Sequence, residues 1–133
     1  MDDPSSVFHS HVDAVITICR QHHVQQLTYA VNRIAKRTFV IDCIFEALHR
    51  EPHRARGVAF LQHFTTTIRA LERAFGQAIG LLGPDDAARV RSHRDEALRV
   101  AIATMRAIAD NSAPRLQEVL RSRGQEPPKN NVA

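Results

Sequence analysis

In residues 61–86, LQHFTTTIRALERAFGQAIGLLGPDD, apolar side chains recur at Leu61, Phe64, Ile68, Leu71, Phe75, Ala78 and Leu82. Steps of three and four place such residues in one stripe along a helix, and the stripe needs other helices to cover it. Gly83-Pro84-Asp85-Asp86 then marks a junction. Glycine closes one helix, proline suits the first turn of the next, and two acids favour that helix's positive end.

The same rhythm extends to both sides. It runs through Phe8, Val12, Val15 and Cys19, and again through Leu27, Val31, Ile34, Thr38, Ile41, Phe45 and Leu48, with Val40 and Ile44 widening the second stripe. The spacing predicts a first helix over about 6–21, capped by Ser5 or Ser6, and a break near Gln21-His22-His23. A second helix over about 24–50 ends at Glu51-Pro52, because the residue before proline is pushed out of the helical region. A third covers about 53–82, and a fourth reaches Asp110 or Asn111. A short fifth begins at Ser112-Ala113-Pro114 and ends at Gly124. Short links between long helices make antiparallel neighbours. The expected architecture is therefore an all-α, up-down bundle of four to five helices, with the first and fifth completing it from outside. Residues 1–124 form one domain and 125–133 a disordered polar tail.

Composition agrees. A chain of 133 residues, 44% hydrophobic, can bury a core without disulfide or metal. One Tyr, no Trp and five Gly disfavour a sandwich or barrel. Cys19 and Cys43 have no CxxC pairing and read as small core residues in a reducing compartment. Met1-Asp2-Asp3-Pro4 lacks the start of a signal peptide, and no run of apolar residues approaches a membrane span. A cytoplasmic location is expected. Sixteen of the eighteen basic residues are Arg, but they are scattered among acids, which fits genome composition better than a phosphate site.

Eight histidines invite a metal reading. His9 and His11, and His22 and His23, point to different faces, and Pro52 separates His49 from His53. Glu46-x-x-His49 is one copy of a pair that di-iron bundles use twice. No metal or other cofactor is expected, although His9, His11 or His22 could meet another helix in space.

Four places could carry function. Asp42, Glu46 and His49 form a polar strip beside the second helix's seam, and Arg56 and His63, seven apart, share a face just beside the seam of the third helix. Across a hairpin pivoting near Pro52 these five could converge, either as ordinary salt bridges or as an acid–base cluster with His63 moving a proton and Arg56 holding an anion. The octapeptide Arg56-Gly57-Val58-Ala59-Phe60-Leu61-Gln62-His63 resembles the Arg-spacer-His motif of the HEPN family, with Gly57 where that family usually has a polar residue. The resemblance covers this octapeptide and the general fold. It implies a dimeric helical ribonuclease or toxin–antitoxin component with Arg56 and His63 as catalytic candidates and Glu46 and His49 beside them.

On the fourth helix, Arg91 and Arg94 fall within the apolar face; they either bridge to Glu72 or wait for a partner's acid. Phe39, close to Cys43, lies among Asn32, Lys36 and Arg50 on the back of the second helix. A neighbouring helix covers it, or it anchors dimerisation or a target. The basic groups His49–Arg56 and Arg89, Arg91, Arg94 and Arg99 lie toward opposite ends of the bundle, and acids interrupt the second. A nucleic-acid-binding regulator is thus a further alternative, not favoured. With no phosphate loop, nucleophile motif or full ligand set, the expected function is a non-enzymatic interaction or regulatory protein of adaptor, anti-activator or immunity type. It would homodimerise and bind a protein partner through an apolar helix face, with Phe39, Cys43, Arg91 and Arg94 as candidate contacts.

Overall fold

The computed structural model describes residues 3–112 as four long helices: α1 (Pro4–Arg20), α2 (Gln25–Arg50), α3 (Val58–Gly80) and α4 (Pro84–Asn111). A 3₁₀ turn, Pro52–Arg56, joins α2 to α3. The expected fifth helix and tail lie outside the described residues.

Cross-helix pairs give the directions. Phe45 late in α2 meets Phe64 early in α3, with ring centroids 5.9 Å apart, and Arg33 early in α2 reaches Gln77 late in α3. His22, just beyond α1, bonds Asp86 in the first turn of α4. Each neighbour is antiparallel, and the chain forms the up-down bundle its stripes require. The broadest packing is α1 on α4, followed by α2 on α3.

Two boundaries differ from expectation for local reasons. α1 starts at Pro4, not after Ser5 or Ser6; proline's fixed φ suits the first position, where its missing N–H would be unpaired anyway. The third helix is not continuous from 53. Glu51, at φ −133°, leaves the helical region ahead of Pro52, and the tight turn runs to Gly57, which opens α3. A Cβ at Gly57 would lie 3.3 Å from the Arg54 carbonyl, a close approach that glycine relieves. Ala55, fully buried, pins this corner to the core.

The core is one cluster drawing on every helix. Its largest enclosed side chains include Phe75, Leu27, Ile34, Ile41, Leu48, Leu71, Val12 and Val15. α1 is no external cover: Phe8, Val12, Val15, Ile18 and Cys19 are all buried, and the helix fills a quarter of the bundle against α4. Alanines Ala87, Ala97 and Ala101 on the buried side of α4 take little room, so a neighbouring backbone can come close. On α3 the buried arc includes Thr67, Ala74 and Ile79, while Leu61 is exposed. A helix that touches two neighbours buries a wider arc than a single stripe predicts.

Candidate functional site

Three histidines of or beside α1 each find a partner on another helix. His9 Nε2 lies 2.8 Å from Asp42 Oδ1 on α2, His22 Nε2 lies 2.8 Å from Asp86 Oδ2 on α4, and His11 Nδ1 lies 2.9 Å from His93 Nδ1 on α4. These contacts stitch α1 to both neighbours. They do not build a metal centre, since no group of three or more potential ligands exists among the described residues.

The Asp86 carboxyl sits below the ordinary carboxylate range, first because it accepts a hydrogen bond from His22 and then through the charges of His22 and Arg89. His93 titrates below its ordinary value; burial disfavours its cation, and His11 and Arg89 add repulsion. An imidazole–imidazole hydrogen bond also needs one neutral ring to accept, so two imidazolium rings would oppose two donors. The sign follows from linkage. With the folded pKa lowered, the unfolded chain holds more protons from about pH 6.5 down to the folded value. Stability is therefore expected to fall as pH drops through that window. Urea midpoints at pH 7.5 and 5.5 measure this, and His93→Asn should shrink the difference; an unchanged difference in the variant would assign the pH response elsewhere.

The polar strip of α2 is only partly gathered. Asp42, Glu46 and His49 line a shallow open depression with Asp3, Ser5 and His9 from the start of α1. Glu46 pairs with Arg50 at 3.3 Å, both exposed. Arg56 is not on α3: from the 3₁₀ turn its Nη1 donates to the Ala109 carbonyl of α4 at 2.7 Å. His63 stands exposed on α3. The expected shared helical face of Arg56 and His63 does not exist, because the helix starts between them at Val58.

The expected Glu72 bridge is absent. Arg94 instead pairs with its neighbour Asp95 at 2.9 Å, and Glu72 and Arg91 are exposed with no ion pair to a described residue. Of the two cysteines, Cys19 is buried, and that burial holds its thiol above the usual range; Cys43 is exposed, contrary to its reading as a core residue. Its place on the outward side of α2, one turn from Phe39, explains this. No described residue covers Phe39, which is 66% exposed.

Sequence reading missed a second feature of α2 and α3. Arg33, Lys36 and Arg37 on α2, and Arg69 and Arg73 on α3, are exposed and form no ion pair with a described residue. The available signal was the run 25–41, which holds three basic residues and no acid.

No family model, curated protein or solved structure matches the chain. The residues themselves therefore carry the functional reading. They define a small all-helical domain in which the described residues include no metal-ligating cluster and no helix long and apolar enough to cross a membrane.

Proposed function

We propose that this chain is a non-enzymatic interaction protein of adaptor type, acting in the cytoplasm, that docks protein through the outward face of α2 and first of all pairs with a second copy of itself. The observation that carries this is the exposure of Phe39 on a helix whose opposite side is fully engaged in the core. A bare aromatic of this size is the kind of side chain that anchors interfaces.

The surroundings of Phe39 are self-complementary. At about 100° per residue, Asn32, Lys36, Phe39, Cys43, Glu46 and Arg50 fall within an arc of about 80°. Two copies of α2 crossing antiparallel about the midpoint of Phe39 and Cys43 bring each Phe39 against the other Cys43. The same symmetry sets Lys36 opposite Glu46, a favourable charge pair at both ends of the contact. Beside Cys43 lies a shallow depression lined by Asp42, Cys43, Glu46, Ala47 and Arg50, where the ring of the second Phe39 would rest. An exposed thiol in this position suits a reducing compartment.

Light scattering over a concentration series tests the reading. The wild-type chain should dimerise, and Phe39→Ser should weaken the dimer by about 30-fold or more, as for an interface hot spot. Far-UV circular dichroism should show both chains equally folded, because Phe39 adds nothing to the core. A wild-type chain monomeric throughout, or a Phe39→Ser dimer of unchanged affinity, would reject this pairing.

A further inference from the structure

We infer that the α2–α3 edge is a binding surface for single-stranded nucleic acid, with phosphates on two staggered arginine pairs that come level at Arg37 and Arg73, and a base stacked on Tyr29. This edge lies on the flank of α2 that borders α3, turned from Phe39 by about 120° at Arg33 and about 160° at Arg37, and is independent of the pairing proposed above.

The rows follow from the register of the two helices. Arg33 Nη1 donates to Gln77 Oε1 at 3.3 Å, which sets these two residues level. In an antiparallel pair, one turn onward brings Arg37 level with Arg73, and a further turn brings Arg69 beside the row. Arg33 and Arg37 are therefore one turn apart on α2, as are Arg69 and Arg73 on α3. Each is a like-charge i, i+4 pair, an arrangement that costs stability in isolation.

No other helix among the described residues carries two arginines four residues apart. Arg50, Arg54, Arg89 and Arg99 each pair with an acid three or four residues earlier: Glu46, Glu51, Asp86 and Glu96. At those offsets, Arg33, Arg37, Arg69 and Arg73 have Tyr29, Ala30, Ile34, Thr65, Thr66, Ala70 or another arginine. Glu72 is the nearest acid in sequence to Arg69 and Arg73, and Asp42 to Arg33 and Arg37; neither forms an ion pair with these arginines. The charge on this edge is thus left for an external anion.

The chemistry of the edge selects the anion. Four guanidinium groups favour planar, bidentate contact with phosphate. A docked acidic protein would need an apolar centre between the charges, whereas the neighbouring depression on α3 is lined by Gln62, Thr65, Thr66 and Arg69, with Leu61 as its one wholly apolar side chain. Tyr29, 63% exposed and one turn before Arg33, supplies a ring at the end of the row. Cationic tracks with an exposed aromatic are how proteins hold single strands without reading sequence.

Fluorescence anisotropy with a labelled 12-nucleotide oligo(dT) tests this in the full chain. Four phosphate contacts on a single strand predict a log–log salt slope of about −2.8, a loss of about 50-fold between 50 and 200 mM salt. Arg37→Gln/Arg73→Gln should halve that slope and leave about a sevenfold loss over the same range. Arg89→Gln/Arg99→Gln removes equal charge from paired arginines and should leave the slope unchanged. Tyr29→Ala should weaken binding by about fivefold or more through lost stacking. All these positions are exposed, so circular dichroism should show every variant folded. No binding at 50 mM salt, or equal weakening by both double substitutions, would overturn the site. Tyr29→Ala binding as tightly as wild type, or poly-glutamate of matched length binding as tightly as the oligonucleotide, would overturn the assignment of its ligand.

Discussion

A chain that begins at residue 24 is expected to lose cooperative folding altogether. The missing helix carries Phe8, Val12, Val15 and Ile18, each 2% exposed or less, into the core. Burying an aliphatic or aromatic side chain of this size contributes about 1.5–3 kcal/mol, so the four together contribute on the order of 6–12 kcal/mol. That matches the entire stability of an ordinary domain, about 5–15 kcal/mol. Removal also bares the side of α4 against which α1 packs most broadly, and it strands Asp42, Asp86 and His93 without their histidine partners. The truncated chain should give a sloping urea curve in far-UV circular dichroism. A sigmoidal transition with native helicity would show instead that the remaining three helices form a domain and that α1 is an accessory.

Phe75→Ala should be the most damaging of the simple truncations within the intact bundle. Phe75 is 0% exposed and the largest of the fully enclosed side chains. It sits on α3, which packs on both α2 and α4, so a hole there is lined from three helices. Loss of the ring's transfer energy and incomplete collapse of the cavity should cost about 3–5 kcal/mol. For a domain of this size that lowers Tm by about 10–20 °C. Phe75→Leu retains most of the volume and should cost much less. Calorimetry of the two variants separates packing from mere hydrophobicity; equal Tm values for both would indicate that Phe75 is not tightly enclosed.

The fold was legible because each helix announces itself locally. The break at 21–24 shows as a slip in the phase of the apolar stripe, and the Glu51-Pro52 stop and the Gly83-Pro84 restart depend on backbone constraints acting over a few residues. The start of α3 was not legible in the same way. Val58 to Gly80 continues the apolar rhythm of the preceding turn, and only the crowding of Gly57 against the Arg54 carbonyl shows where the helix begins. That single local detail removes Arg56 from the face of His63 and hands it to Ala109, two helices away.

The candidate surfaces divide similarly. Phe39 stood out by periodicity, since a large ring on a polar arc is visible in one helix alone; whether another helix covered it was not. The arginine rows were invisible as a group because Arg33 and Arg37 are more than thirty residues from Arg69 and Arg73. The histidine contacts hid for the same reason: His9 and Asp42, His11 and His93, and His22 and Asp86 share no local pattern.

Periodicity and turn chemistry, which act within a few residues, determined that this chain forms long amphipathic helices packed antiparallel. Register between helices, set by side chains far apart in the sequence, decided that α1 belongs to the core, that Glu72 stays unpaired with α4, and that Arg37 comes level with Arg73. A stripe along one helix records which side faces inward, but it holds no information about which residue of the next helix lies across from it.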